Sequence, residues 1–376
     1  MLNLPLEFLR QFRFVRNTKL IQLYITISLA TLSLSLIGLF IPIFLMKEIG
    51  YSFTSVMLYL IASMAFSFVT FPFALKLSSK IGMNKTAMLS VPIRVSFLLL
   101  LNALHFWHVP LVLIAFLSNL GAAMFWLPYH IRFARTSDHD HRGTELGMRY
   151  LLEGLAAVSG PVLGGILAAT VGFKWLYVIA SFILALSVIP LFFMGDMKVG
   201  KGFKLIDVLK RKTHTDLIGY MAEGYRTYAY TLWSIFLFFF VGSYVALGGI
   251  SSLVSLANSV FQMFAGYISD AFSKKSMLRF GITFDSLSWF VRTLFTSVYS
   301  MSVATIVGSI AIAVWYMPYS SKYYDKMGEN DGISHILFRE MGLSLGAIVL
   351  FLFAMVFGLQ AAVISAGVVV FLILLF

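Results

Sequence analysis

The sequence predicts an all-α integral membrane protein with about twelve transmembrane helices, and three observations support this class. Hydrophobic residues make up 60% of the 376 residues and charged residues only 12%, whereas soluble domains carry about 25% charged residues. The mean hydropathy of +0.90 leaves too few polar residues to cover a water-facing surface. The apolar residues also lie in continuous runs of roughly 20, the length that a helix needs to cross a bilayer.

These runs define the predicted elements in chain order. They are long and unbroken rather than ten-residue alternations, so they predict helices and not barrel strands. The predicted spans are residues 20–46, 52–75, 87–105, 109–131, 149–170, 175–194, 216–241, 246–268, 280–298, 301–319, 340–358 and 360–376.

The net charge of +12 is explained by membrane topology and not by nucleic-acid binding. The loops predicted to lie outside carry Lys47 and Lys174 and no other Lys or Arg, whereas the other loops are rich in both. Cytoplasmic loops of membrane proteins carry this excess. The sequence therefore predicts a multi-pass protein of the cell membrane with both termini in the cytoplasm, and no nucleic-acid partner.

Two polar segments divide the chain into its predicted parts. The first nineteen residues place Phe8, Leu9, Phe12 and Val15 on one helical face, which predicts a short helix in the headgroup region. The stretch after the sixth span contains three consecutive basic residues. The predicted organisation is a first six-helix bundle over 1–197, a cytoplasmic linker over 198–215 and a second bundle over 216–376.

The two halves resemble each other at an offset near 190 residues. Residues 126–129 read Trp-Leu-Pro-Tyr and residues 316–319 read Tyr-Met-Pro-Tyr, and an arginine follows each proline by 21 residues, Arg149 and Arg339. A duplicated six-helix unit places a central cavity between two bundles that rock against each other. The repeat therefore indicates a transporter.

The loop after the eighth span carries a more specific signal. It contains Gly266, Asp270, Lys274 and Lys275, and this pattern resembles the loop signature of the major facilitator superfamily. The resemblance implies two pseudo-symmetric six-helix bundles, with this loop bracing the cytoplasmic ends of helices. The first copy has lost the aspartate and one glycine, but Gly82, Asn84 and Lys85 remain.

Span five contains Gly160, Pro161, Gly164 and Gly165, which resemble the glycine-proline signature of proton-coupled exporters in that superfamily. Glycines allow close helix approach and proline removes a backbone donor, so ordinary helix packing is the alternative. The arginine that many proton-coupled members carry early in span four is absent, because Leu117 stands there. A mechanism that uses that arginine is not transferable.

Charged residues within the predicted spans are the first candidates for function, since a charge in the bilayer is costly. Glu223 and Arg226 share a helical face with Tyr230 and Trp233. By resemblance, span seven lines the cavity, so this face predicts a substrate or proton site. The alternative is a self-satisfied Glu223–Arg226 ion pair.

Other intramembrane charges have separate predicted roles. Arg149 and Arg339 correspond in the repeat, and the resemblance implies that both form cytoplasmic gate contacts. Glu153 lies four residues after Arg149, with which it is able to pair, and it is a candidate proton carrier. Arg94 and Asp285 also correspond; a structural role is expected for both, with Asp285 a further candidate proton carrier.

Polar and aromatic residues complete the candidate set. Tyr24, Ser28, Thr31 and Ser35 recur at helical spacing on span one, which predicts either a cavity lining or helix packing. Spans four and ten carry two corresponding aromatic clusters, for which an interfacial belt is the simpler interpretation. The clusters contain Trp126, Tyr129 and His130, and Trp315, Tyr316 and Tyr319.

The sequence carries no recognised enzyme or phosphate-binding motif, so we expect no enzyme activity and no cofactor. Asp138, His139, Asp140 and His141 are interpreted as a solvated turn and not as a metal site. The predicted function is proton-coupled export of a small organic or amphipathic solute by a monomer in contact with lipid. Uptake, facilitated diffusion and a non-transport scramblase or membrane scaffold are the alternatives.

Overall fold

The computed structural model describes residues 18–136, 142–198, 214–271, 273–295, 297–328 and 332–375. The predicted interfacial helix, most of the predicted linker and residues 138–141 lie outside these ranges. The described part of the chain contains only helices and their connections, so the predicted all-α class is confirmed.

The first half contains six helical segments, α1 to α6. Three of them, α1, α2 and α6, are built from two consecutive helices each. The bounds are α1 Thr18–Ile37 and Ile41–Lys47, α2 Phe53–Ala65 and Ser67–Ile81, α3 Met83–Ala103, α4 Leu111–Thr136, α5 Arg142–Thr170, and α6 Gly172–Leu186 and Ile189–Phe192.

The second half repeats this order with six more segments, α7 to α12. Their bounds are α7 His214–Val241, α8 Tyr244–Ala271, α9 Lys274–Leu294, α10 Val298–Gly328, α11 Gly332–Phe357, and α12 Leu359–Val369 followed by a 3₁₀ turn Val370–Leu375. Each predicted span lies mostly within one segment, in chain order.

Nine of the described segments are long and apolar enough to cross a membrane: α1 to α6, α8, α10 and α11. The other three fall short for different reasons. α12 is apolar but has only 17 residues over Leu359–Leu375. α7 and α9 hold buried charged residues, among them Glu223, Arg226, Asp285 and Arg292, and these side chains lower the hydropathy of their helices.

Helix packing repeats between the halves. α1 packs on α5 and α6, and α7 correspondingly packs on α11 and α12; α3 packs on α4, and α9 on α10. The halves meet through α5 against α8 and through α2 against α11. This arrangement gives two pseudo-symmetric bundles with a space between them, while the exact domain bounds and the membrane orientation stay predictions.

Candidate central cavity

Two adjoining chambers lie between the bundles, with volumes of about 560 and 550 Å³. We call the first the hydroxyl chamber, because alcohol and phenol groups line it: Thr31, Ser35, Tyr230, Thr231, Ser234, Ser251, Ser255 and Thr305. We call the second the charged chamber; its ionisable lining is His130, Arg149, Glu153, Arg339 and Glu340, with four tyrosines. Trp126, Glu153 and Thr231 line both chambers.

Arg149 and Glu153 form the predicted ion pair on α5. The Arg149 guanidinium also donates from Nη1 to the Tyr324 hydroxyl at 3.1 Å, and it lies over the Tyr129 ring at 4.8 Å. His130 Nδ1 is hydrogen-bonded to the same hydroxyl at 2.7 Å. Tyr324 of α10 therefore joins α4 and α5 across the two bundles at the predicted cytoplasmic end, where a gate role for Arg149 was expected.

Glu223 pairs with Arg339 and not with Arg226, so the alternative interpretation, a Glu223–Arg226 ion pair, is wrong. Arg339 Nε donates to Glu223 Oε2 at 3.1 Å, and the Tyr319 hydroxyl donates to the same oxygen at 2.6 Å. Arg339 Nη1 also donates to Glu340 Oε1 at 3.1 Å. The carboxylate of Glu223 is buried within the second bundle, whereas Glu340 faces the charged chamber.

Arg226 pairs instead with Asp285. Its Nε donates to Oδ2 at 2.7 Å and its Nη2 to Oδ1 at 3.0 Å, a bidentate geometry. The Trp315 indole also donates to Oδ2 at 3.1 Å. Asp285 is therefore fully enclosed and ties α7, α9 and α10 together, which agrees with the structural role expected for it.

The interfacial-belt interpretation of the aromatic clusters is wrong for most of their members. Tyr129, Trp315 and Tyr319 are at most 4% exposed. The Tyr129 ring covers the Arg149 guanidinium, and the Trp315 indole and the Tyr319 hydroxyl donate to buried carboxylates. Trp126 and Tyr316 line the cavity. Helical spacing alone did not show that these faces point inward, because an aromatic ring suits both a bilayer interface and a buried cation.

The polar stripe on α1 divides between the two predicted roles. Thr31 and Ser35 line the hydroxyl chamber, and Ser35 also donates to the Leu32 carbonyl at 3.1 Å. Tyr24 is buried and donates to the Glu145 carbonyl at 3.3 Å, which is helix packing. Ser28 is half-buried and does not line either chamber.

The glycines of α5 allow close contacts on two sides. A Cβ at Gly164 would lie 2.0 Å from the Leu36 carbonyl oxygen of α1, and one at Gly165 would lie 2.4 Å from the Tyr244 carbonyl oxygen of α8. The Gly160 position is similarly close to Ser35. The Pro161 carbonyl lies against Gly248 of α8. The packing role of this motif is thus present, and Pro161 lines the hydroxyl chamber as well.

The loop between α2 and α3 is braced although its signature is degraded. Asp196, after α6, accepts the Asn84 backbone N–H at 3.0 Å, and Asn84 donates from its side chain to the Met194 carbonyl at 2.9 Å. Arg132 of α4 donates to the Asn84 side chain and, at 3.0 Å, to the Gly195 carbonyl. Gly82 has φ +104° and packs directly against Asp196, which only glycine allows.

The second-half loop has a corresponding contact. Lys274 Nζ donates to Ser321 Oγ at 2.9 Å and pairs with Asp325 at 3.3 Å. Gly266 is buried and Lys275 is exposed. The side chain of Asp270 lies outside the described part of the structure, so its predicted role stays a prediction.

Sequence reasoning assigned no role to Tyr324 or to Arg292, although Arg292 is one of the charged residues within predicted span nine. Tyr324 carries no motif; the only signal was its position at the end of the span that holds the second aromatic cluster. Arg292 is fully buried, and Arg94 is 4% exposed. Neither forms an ion pair with a carboxylate in the described residues; Arg94 lies over the Phe125 ring at 4.9 Å.

Comparison with known proteins identifies the architecture. The family model of the Major Facilitator Superfamily matches residues 23–248, more than half of the chain. The human organic anion transporter MFSD10 (TETRAN) has a similar structure, with a TM-score of 0.71, 14% identity and coverage of 95% of this chain and 98% of that one. The E. coli fucose:proton symporter FucP superposes with a TM-score of 0.69 and 10% identity, covering 95% and 97%. No curated protein sequence matches the chain.

Proposed function

Since this chain belongs to the Major Facilitator Superfamily, as the match over residues 23–248 shows, we propose that it is a proton-coupled exporter of a small amphipathic organic solute. That the protein is a multi-pass membrane transporter follows from the family and from the nine apolar helices among the described residues. The proposal adds the coupling ion, the direction and the kind of solute. It also places the protein in the cell membrane as a monomer.

The central observation is the pair of adjoining chambers between the bundles. Their lining combines apolar residues such as Leu34 and Val254 with hydroxyl groups in one chamber and ion pairs in the other. Ligand pockets of this size, mostly apolar with a few polar groups, fit solutes with an apolar body and a polar group. This lining supports an amphipathic solute.

Proton coupling is proposed because Glu153 borders both chambers. One of its carboxylate oxygens is bonded to Arg149, and its side chain is 13% exposed, so it is accessible from the cavity. Protonation of Glu153 would neutralise its carboxylate and break the ion pair with Arg149. The Arg149 guanidinium would then keep its hydrogen bond to the Tyr324 hydroxyl without a counterion. Proton binding in the cavity would thereby alter the contact between the bundles.

The outward direction rests on the α5 motif. Gly164 and Gly165 place α5 directly against α1 and α8 at the predicted outer end. This motif resembles the glycine-proline signature of proton-coupled exporters, and that resemblance is what supports export. Uptake is the alternative direction, and the experiment below distinguishes the two.

The test begins with a ligand-stabilisation screen of purified protein against organic cations, anions and neutral amphipaths. Solutes that stabilise the protein are then measured for flux in proteoliposomes with an imposed pH gradient of either sign. We expect the solute to move in the direction opposite to the protons. For Glu153→Gln we expect residual solute flux that no longer responds to the pH gradient. Flux that is indifferent to pH in the wild type would contradict proton coupling, and flux that follows the protons would favour uptake.

A further inference from the structure

The unpaired charge of Arg292 lies directly behind the wall of the hydroxyl chamber. Its side chain is fully buried, and its Nε and Nη1 have no hydrogen-bond partner among the described residues. The guanidinium lies 4.4 Å from the Trp289 ring centroid and 5.0 Å from that of Tyr230. Aromatic faces stabilise a cation but do not replace a counterion, so this arrangement retains a net positive charge.

Tyr230 links this charge to the chamber. Arg292 Nη2 donates to the Tyr230 hydroxyl at 2.8 Å, and Tyr230 lines the chamber. Because the phenol oxygen accepts from a guanidinium, its own proton remains available to donate. A hydrogen bond donated by a phenol that is itself bonded to a cation is strengthened by that charge.

The other polar groups of this chamber are hydroxyls that are able to donate. Thr31, Thr231, Ser251 and Ser255 also line this chamber, and each has a hydroxyl proton to donate. Glu153, at the border with the charged chamber, is the single carboxylate in the described lining, and it is bonded to Arg149. An anion is bound by hydrogen-bond donors near a positive charge. The hydroxyl groups of this chamber and the guanidinium of Arg292 provide both.

We propose that the hydroxyl chamber binds an organic anion, a carboxylate or sulfonate on an apolar body, through the Tyr230 hydroxyl, with Arg292 as the buried positive charge behind it. This inference rests on the proposed transport function for its biological meaning, and it specifies the class of solute. Tyr230 makes the contact and Arg292 is a positioning residue. The apolar body of the solute would lie among Leu34, Leu237 and Ile250.

The test compares two probes of the same shape that differ in charge, 2-naphthoate and 2-naphthamide. Binding to the purified full-length protein is measured by calorimetry and by thermal stabilisation. We expect the wild type to bind the naphthoate at least about tenfold more tightly than the amide, the size of one charge-assisted hydrogen bond. Equal affinities, or no binding of either probe, would contradict the inference.

Variants assign the preference to these residues. Arg292→Met should remove most of the preference for the anion and leave the affinity for the amide within about twofold. Tyr230→Phe should also remove most of that preference, with a smaller loss of affinity for the amide, whose neutral carbonyl accepts a weaker hydrogen bond. Arg94→Met is the matched control, because Arg94 is also buried and lacks a carboxylate partner in the described residues, but it lies over Phe125 outside both chambers. If Arg292→Met does not fold, Tyr230→Phe alone decides.

This experiment also separates the two proposals. A naphthoate preference that depends on Tyr230, without any flux in proteoliposomes, would refute transport and retain the site. Proton-driven flux with the preference intact in Tyr230→Phe would refute the anion site and retain transport.

Discussion

At the scale of single residues, buried arginines and carboxylates organise the second bundle. Arg226 and Asp285 pair across α7 and α9, and Glu223 and Arg339 pair across α7 and α11. Taking such charges out of water is expensive, and removing only one partner leaves an isolated buried charge. The ion pairs thus fix which helices lie next to each other more than they stabilise the fold.

Glu223→Gln tests this reasoning. We expect it to lower the unfolding free energy by about 3–5 kcal/mol, because Arg339 then loses its main buried counterion. The double variant Glu223→Gln with Arg339→Met should recover much of that loss. Thermal unfolding in detergent measures both, and Glu48→Gln, whose carboxylate is exposed and bonds Tyr244, is the control. Equal losses in the single and the double variant would contradict the account.

Tyr324→Phe tests the contact between the bundles. Loss of its hydroxyl removes the hydrogen bonds to Arg149 and His130, so we expect the predicted cytoplasmic end to open more often. The chain has no cysteine, so a single cysteine replacing Ser344, which lines the charged chamber, reports access to labelling from that side. Faster labelling supports the gate, and an unchanged rate together with unchanged flux would refute it.

The partners of these residues could not be predicted from the sequence. Spacing showed that Glu223 and Arg226 share a helical face, but it did not show which helices that face meets. Their partners are 116 and 59 residues away. Arg149 and Glu153 were predicted as a pair because both lie on one helix, where spacing alone brings them together.

At the scale of helices, the contact of α5 with α8 depends on the absence of side chains. The Gly165 position faces the backbone carbonyl of Tyr244. The carbonyl carbon and oxygen cannot move aside as the end of a flexible side chain would. Backbone contact of this kind brings helix axes close together in membranes. The glycine motif of α5 therefore has the packing role that the sequence offered beside an exporter-specific one.

Gly165→Ala measures that contact. We expect a loss of about 1–3 kcal/mol, as for overpacking in a core, and weaker closure of the outer end. Gly249→Ala is a matched control on α8, because a Cβ there meets nothing within 4 Å. The control should be neutral or gain about 0.5–1 kcal/mol from better helix formation. Equal stability of the two variants in thermal unfolding would show that the close contact is absent.

The start of α3 is held by a side chain from outside the helix. Asp196 accepts backbone N–H groups from Asn84 and Met197, and a carboxylate at a helix N-terminus is favourable. We expect Asp196→Ala to lose about 1–2 kcal/mol, as for loss of a helix cap. The exposed neighbour Lys198→Ala should lose almost none. Similar unfolding midpoints for both variants would indicate that the brace does not stabilise α3.

At the scale of the whole molecule, hydropathy and the internal repeat were sufficient to predict the architecture. Twelve apolar runs and one repeat at an offset near 190 residues predicted two bundles with a cavity between them. Each run is long enough for a helix to cross the bilayer, and a duplicated six-helix unit forms two similar bundles. The cavity lining was predicted only in part. Glu153, Thr31 and Ser35 were among the candidates, whereas Thr231 and Ser251 carry no sequence signal, since hydroxyl groups occur on every face of these helices.

The central claim is that the two bundles rock around this cavity, and paired distances at its two ends test it most directly. Spin labels at Lys85 and Lys275 report the predicted cytoplasmic end, and labels at His108 and Ser297 report the outer end; all four side chains are exposed. The distance within each pair is measured by double electron–electron resonance, in acidic and in alkaline buffer, with and without a stabilising solute. The account predicts that one distance lengthens as the other shortens. Distances that do not change, or that change in the same direction, would contradict alternating access.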